Sequence, residues 1–279
     1  MRTMRFFMGS VLSYKILLVF PGKTKSCKKG EFTKNRPEFF GIHPCSKGKG
    51  LLYWIRETDW GNTMDCKGIL FDMDGTLVDS MGMWYHLGSM ILKTEGKTAK
   101  EPDLDAKVCW MTVPEMKEFF EKEYGIQCRD FSAFTELYYR EVDKCYASTI
   151  QAMPGIRKIL DAARAAGIRM CVATATRISS AKIVLERLGL LSYFEFVLSC
   201  DDVGAGKSHP DVYLKAAEKL GLPVSECVVF EDALVGIRTA KKAGFTVVAI
   251  RDPNAYWEAE EIRGLCDRYL TRYEDLLEG

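Results

Sequence analysis

Two aspartates one residue apart close the apolar run in Gly68-Ile69-Leu70-Phe71-Asp72-Met73-Asp74-Gly75-Thr76-Leu77-Val78-Asp79-Ser80. A short apolar run bounded by turn residues reads as a buried strand. Asp72 and Asp74 then stand at its carboxyl end, where open α/β sheets place their ligands. Side chains alternate along a strand, so residues i and i+2 point to one side. Two carboxylates so placed repel unless something holds them, and hard divalent cations take oxygen ligands. The segment reads as a magnesium site with a carboxylate free to attack.

Three further groups fall at later strand ends. Thr174 closes a run in Val172-Ala173-Thr174-Ala175-Thr176, where a hydroxyl and backbone N–H groups can hold phosphate oxygens, and Thr176 is placed to share that task. Lys207 lies in Gly206-Lys207-Ser208-His209-Pro210-Asp211, and its ammonium can neutralise a carboxylate–phosphate cluster. Glu231 and Asp232 end Cys227-Val228-Val229-Phe230-Glu231-Asp232 and add hard oxygen ligands. The glycines before Lys207 do not make a P-loop, because G-x-x-x-x-G-K-[ST] requires glycine where Asp201 stands. His86 and His209 have no serine or cysteine arrangement near them that suggests a triad.

These groups need a scaffold that brings four strand ends to one edge. Apolar runs recur at Ile69–Asp72, Arg169–Thr174, Phe194–Ser199, Cys227–Asp232 and Thr246–Ile250. Each of the last four follows an amphipathic helical pattern that stops at Gly167, Gly189, Gly221 or Gly244, and glycine just past a helix is the usual stop signal. Strands alternating with helices imply an α/β fold, a Rossmann-like parallel sheet covered on both faces. Residues 81–151 carry helical patterns such as Met83-Leu87-Met90-Ile91 and Met116-Phe119-Phe120-Tyr124, and no convincing strand. An all-helical insertion directly after the reactive strand suggests a cap that excludes water over the site. Residues 64–80 and 152–279 form the core in this division. Most cap aromatics are expected to pack its helices; Trp84 and Trp110 are the strongest candidates for touching substrate.

The chain of 279 residues is 47% apolar and 28% charged, as expected of a soluble globular protein. Its net charge of +1 offers no basic field for nucleic acid. Residues 1–63 differ from the rest, with twelve Lys or Arg against four Asp or Glu. Their apolar stretch from Phe6 to Phe20 is interrupted by Lys15, lacks a clear small-x-small cleavage site and is short for a bilayer. The segment is read as an upstream extension outside the fold, with Met64 as the real start. A targeting or tethering segment and a small separate domain are the other two readings. No stable membrane association is expected. The ten cysteines form no C-x-x-C pair. Scattered single cysteines such as Cys171, Cys200 and Cys227 read as small core residues of a cytoplasmic protein in a reducing compartment.

Taken in order, these motifs resemble the haloacid-dehalogenase-like hydrolase superfamily, in its helical-cap branch of β-phosphoglucomutase and phosphoglycolate phosphatase. Asp72-Met73-Asp74-Gly75-Thr76 fits the D-x-D-G-T motif. Thr174 fits the second motif, Lys207 the third, and Phe230-Glu231-Asp232-Ala233 with Gly236 the fourth, over roughly residues 66–275. The resemblance implies a five-stranded parallel core with the first strand in the middle. It also implies that Asp72 attacks phosphorus to form an aspartyl phosphate while Asp74 serves as acid and base to the leaving oxygen and the incoming water. It places Mg²⁺ on Asp72, Asp232 and the backbone carbonyl of Asp74, with Glu231 acting through metal-bound water, and leaves Thr174 and Lys207 to grip the phosphoryl oxygens.

The expected activity is Mg²⁺-dependent hydrolysis of a small phosphorylated metabolite. The alternative is a sugar-phosphate mutase of the β-phosphoglucomutase type, and a lesser one is a catalytically silent metabolite-binding module. Mutases of that branch carry a histidine twelve residues after the nucleophile; Trp84 stands there, and His86 is two residues further on. That departure favours hydrolysis. The dehalogenases lack the second aspartate, which Asp74 supplies.

Overall fold

The apolar run before Asp72 forms the central strand β1 (Gly68–Phe71) of a six-stranded sheet in a computed structural model that describes residues 66–109 and 111–276. The expectations for residues 1–63, Met64 and Trp110 lie outside the described residues. The other strands are β2 (Arg169–Thr174), β3 (Val197–Ser199), β4 (Cys227–Glu231), β5 (Thr246–Ile250) and β6 (Arg268–Leu270). Their order is β3-β2-β1-β4-β5-β6, and every pairing is parallel. The sheet reverses its direction of growth at β1, and such a switch point opens a crevice at the carboxyl ends of the strands.

Each residue of β1 is buried, because helices cover both faces of the sheet. Ile69 and Phe71 enter one core with Val172, Val228 and Phe230, while Leu70 enters the other with Cys171, Ala173 and Val229. The alternation is the period-two pattern of a strand. Phe71 meets Phe230 at 4.9 Å and Phe194 at 5.9 Å between ring centroids.

Residues between β1 and β2 are helical: α1 (Met81–Thr94), α2 (Leu104–Val108), α3 (Val113–Tyr124), α4 (Phe131–Ser148) and α5 (Ile156–Ala165). The first four form the cap region; α5 leads back into β2. Thr112 and Glu115 make a capping box that starts α3, and the Asp130 side chain caps α4. The chain leaves and re-enters the core through adjacent segments, with Asp79 N–H bonded to the Gln151 carbonyl and Met153 N–H to that of Leu77, both at 2.9 Å. Helices α6 (Ile178–Arg187), α7 (Cys200–Val203), α8 (Asp211–Lys219), α9 (Leu234–Lys242) and α10 (Ala259–Leu265) complete the core. Among the described residues, no helix is long and apolar enough to cross a membrane.

Two details differ from the sequence pattern. The third strand is only Val197–Ser199, because Leu191–Tyr193 forms a 3₁₀ turn and Phe194 belongs to the loop after it. The sixth strand, Arg268–Leu270, adds an edge that the five-strand expectation lacks.

Candidate active site

Asp72 continues the ladder one residue past β1, its N–H bonded to the Phe230 carbonyl of β4 at 2.9 Å. This places its side chain beside the end of β4, where Glu231 and Asp232 follow. Oxygens of Asp72, Glu231 and Asp232 lie within 4.8 Å of one another, and all three residues are buried. Lys207 comes in from the loop after α7. Its ammonium bonds Asp72 Oδ1 and, at 2.8 Å, Glu231 Oε2. The Tyr213 hydroxyl donates to the same Glu231 oxygen at 3.3 Å. Thr76 Oγ1 donates to Asp232 Oδ1 at 3.0 Å, and Thr76 is itself held by the Tyr273 hydroxyl on its carbonyl at 2.9 Å.

Three carboxylates thus lie together with one ammonium, which bonds two of them. Burial pushes the Asp72 carboxyl up, reinforced by Asp74 and opposed by Lys207. Glu231 is pushed up to about 7 by burial and by the charge of Asp72. Asp232 is raised by burial and then by Asp72 and Glu231. Burial disfavours the Lys207 ammonium, but Asp72 and Glu231 outweigh it and hold its pKa well above the ordinary lysine value. The uncompensated charge is negative.

These residues fit a hard divalent cation. Glu231 Oε1 is buried without a hydrogen-bond partner. A Cβ on Gly236 would stand 2.6 Å from that oxygen, and one on Gly75, whose φ is +80°, would collide with Asp232 Oδ2. The two glycines keep space open beside two oxygens of the trio, and an all-oxygen donor set suits such an ion.

Asp74 faces the other way, toward the cap. Its Oδ1 accepts from Ser80 Oγ at 2.6 Å and from the Tyr146 hydroxyl of α4 at 2.5 Å, and its Oδ2 accepts from Thr176 Oγ1 at 2.7 Å. The Asp74 carboxylate stands outside the trio, leaving its main-chain carbonyl as the ligand expected of it. Thr174 Oγ1 accepts from the Thr176 N–H at 3.0 Å, which leaves its own hydroxyl hydrogen to donate. Helix α6 begins just beyond, and a helix N-terminus favours anions.

The strand ends therefore gather Asp72, Lys207, Glu231 and Asp232 in one cluster, with Asp74 and Thr174 joined through Thr176. Ser80 and Tyr146 escaped sequence reasoning as partners of Asp74. Ser80 sits at a fixed offset from the acid pair, so its spacing was available as a signal. Tyr146 lies 72 residues from Asp74 on another element, and nothing in the local pattern marks it.

The family model described as haloacid dehalogenase-like hydrolase matches residues 66–244. The phosphorylated carbohydrates phosphatase of Thermotoga maritima is 29% identical over 199 residues, which cover 69% of this chain and 91% of that protein. Hexitol phosphatase A of Escherichia coli is 34% identical over 191 residues, covering 68% of this chain and 85% of the relative. The crystal structure of CbbY from Rhodobacter sphaeroides in complex with phosphate matches with a TM-score of 0.63 and 26% identity, over 76% of this chain and 96% of that one.

Proposed function

This chain belongs to the haloacid dehalogenase-like hydrolase family, and on that premise we propose that it is a cytoplasmic Mg²⁺-dependent phosphatase of small phosphorylated carbohydrates working through an aspartyl phosphate. The observation that carries this is the division of labour between the two aspartates. Asp72 lies in the buried cluster with Lys207, while Asp74 is held outside it by three hydroxyls, one of them from the cap helix α4.

Asp72, Glu231 and Asp232 would hold the cation, which when bound supplies positive charge that offsets the trio and the phosphate. Asp72 attacks phosphorus, and its carboxylate becomes the mixed anhydride. Lys207 and the Thr174 hydroxyl bind the phosphoryl oxygens and orient them for in-line displacement. Asp74 gives a proton to the leaving oxygen, then takes one from the water that releases phosphate. The cap excludes bulk water during the first step.

Against the mutase alternative stands the position of His86. It is exposed and faces Asp105 within the cap, with Nδ1 2.9 Å from Oδ2. The hydrogen-bond partners found for Asp74 are Ser80, Tyr146 and Thr176, and none is a histidine. A silent binding module is disfavoured because no member of the acidic set is missing.

The test is release of inorganic phosphate from p-nitrophenyl phosphate. Release that depends on Mg²⁺ and is lost in Asp72→Asn supports hydrolysis. Interconversion of glucose 1- and 6-phosphates without net release would move the assignment to the mutase.

A further inference from the structure

The buried trio is fastened unevenly. The Lys207 ammonium bonds Asp72 and Glu231, and the Tyr213 hydroxyl adds a second donor to Glu231. The donor found for the Asp232 side chain is the Thr76 hydroxyl, on Oδ1 at 3.0 Å. The other oxygen, Oδ2, lies where a Cβ on Gly75 would stand. The orientation of this carboxylate therefore depends on where Thr76 holds its hydroxyl. Threonine is stiff about χ1, so the hydroxyl goes where the main chain puts it.

The main chain at Thr76 is held from far away in sequence. Its N–H makes a long bond to the Met73 carbonyl, 3.3 Å, in a turn closed by the Gly75 N–H on the Val78 carbonyl at 2.9 Å. Its carbonyl accepts the Tyr273 hydroxyl at 2.9 Å, from 197 residues on. The Tyr273 ring is stacked on Phe230, with centroids 6.3 Å apart and planes at 21°, and Phe230 directly precedes Glu231 and Asp232. One side chain thus touches both segments that carry the acids: its ring rests on β4, and its hydroxyl on the turn after β1. Tyr273 and Thr76 are both buried. Burial, and then Asp232, Asp72 and Glu231, hold the Tyr273 pKa well above its ordinary value, so the hydroxyl keeps its proton and donates. The 3₁₀ turn that carries it, Tyr273–Leu276, follows β6 and is itself tied down. The Asp275 carboxylate accepts the Thr271 and Arg272 N–H groups at 3.1 and 3.0 Å, and the Arg268 guanidinium donates to the Asp275 carbonyl at 3.0 Å.

We propose that Tyr273 is a positioning residue for the cation: by fixing Thr76 against Phe230, it commits one Asp232 oxygen to the Thr76 hydroxyl and presents the other to the metal. This rests on the metal site of the phosphatase reading and extends that site to the turn after β6. Without the phenol hydroxyl, the Thr76 carbonyl loses its buried donor and the turn is free to shift. Asp232 then samples orientations that do not suit the ion. A tyrosine that only packs the core matters to stability alone. One that positions a ligand also changes affinity, because a preorganised group has less to reorder on binding.

The test is Tyr273→Phe, which removes the hydroxyl and keeps the ring. Mg²⁺ affinity of the full chain is measured by calorimetric titration without substrate, beside the Tm of the metal-free protein. The Kd for Mg²⁺ is expected to rise about three- to tenfold, and the Mg²⁺ concentration for half-maximal turnover with it, while kcat at saturating Mg²⁺ recovers to within about twofold. Thr76→Val gives a second reading should Tyr273→Phe fail to fold, with a loss of affinity at least as large. The double variant should lose no more than Thr76→Val alone, since both changes act through Asp232. Tyr124→Phe removes a buried hydroxyl that accepts the Lys100 N–H in the cap, and should leave the Kd unchanged. A wild-type Kd in either single variant at the site, a summed loss in the double variant, or an equal loss in Tyr124→Phe overturns the inference. Mg²⁺ binding without phosphate release from p-nitrophenyl phosphate sinks the phosphatase reading alone, and the variant affinities still decide this one. No Mg²⁺ binding by the wild type sinks the metal site and this inference with it.

Discussion

The Tyr146 hydroxyl, carried on the last cap helix, donates a 2.5 Å hydrogen bond to Oδ1 of Asp74 in the core. The carboxylate proposed as acid and base is thus aimed partly by a helix of the insertion between β1 and β2. Arg187 reinforces the link from the core side by donating to the Tyr146 carbonyl at 2.7 Å. Tyr146→Phe removes the hydroxyl and keeps the buried ring. A hydrogen bond to a charged group is worth about 1.5–3 kcal/mol, so kcat is expected to fall about tenfold or more while KM stays within about threefold. Steady-state kinetics on p-nitrophenyl phosphate check this; unchanged turnover would show that Ser80 and Thr176 suffice to aim Asp74.

Metal affinity should separate Asp232 from Asp74. Asp232 belongs to the buried trio, whereas the Asp74 carboxylate is occupied by three hydroxyls. Asp232→Asn is expected to weaken Mg²⁺ binding by about tenfold or more, and Asp74→Asn by no more than about threefold, in calorimetric titrations. Wild-type protein at Mg²⁺ near 100 times Kd should gain about 2.7 kcal/mol of stability by mass action, read as a rise in Tm that chelation reverses. Equal losses in the two variants would contradict the assignment.

Gly236→Ala tests the open space beside Glu231. The new methyl would stand 2.6 Å from both Glu231 Oε1 and the Tyr213 hydroxyl, two buried groups with little room to shift. The expected result is a loss of Mg²⁺ affinity that exceeds the loss of stability, with turnover recovering only at high metal. Affinity equal to wild type would mean that Oε1 takes no part.

How much of this the sequence discloses follows from where each residue sits. Asp72, Thr174, Glu231 and Asp232 lie at or just past strand ends, and a strand end is visible as an apolar run breaking into polar residues; Lys207 lies further on, in the loop after α7. Their convergence follows from the parallel topology, since right-handed crossovers bring successive carboxyl ends to one edge. Tyr146 has no such signature, because a buried tyrosine on an amphipathic helix reads as ordinary packing. The edge strand Arg268–Leu270 escaped for a different reason: three residues, one of them charged, carry too short a pattern to count as alternation. Phe194 reads as strand by its aromatic character, yet the 3₁₀ turn before it takes its N–H onto the Leu191 carbonyl at 3.1 Å.

Phe71 links the sheet's packing to the site, since the next residue is the proposed nucleophile, Asp72. Its ring is fully buried between Phe194 and Phe230. Phe71→Ala is expected to cost about 3–5 kcal/mol through lost transfer energy and a cavity. Denaturant unfolding checks the value. Activity per folded molecule should also fall, because Asp72 loses its rigid support.

Acid should weaken the cap at Asp105. Its Oδ1 accepts the Ser89 N–H at 2.8 Å, and its Oδ2 accepts the Ser89 hydroxyl at 2.7 Å and faces His86 Nδ1 at 2.9 Å. Burial opposes the charge, but the hydrogen bonds from His86 and Ser89 outweigh it and hold the carboxyl below its ordinary 3.8. A carboxyl whose folded pKa is depressed contributes stability in full above the unfolded value, and loses it as pH falls through the folded value. The stability that Asp105 contributes over Asp105→Asn should therefore be lost as pH falls from about 5 through the carboxylate range. Urea unfolding at several pH values measures the gap. A gap that widened as pH fell from about 5 to 3 would mean that Asp105 is better bonded when protonated, which hydrogen bonds from the Ser89 N–H and hydroxyl to both of its oxygens argue against.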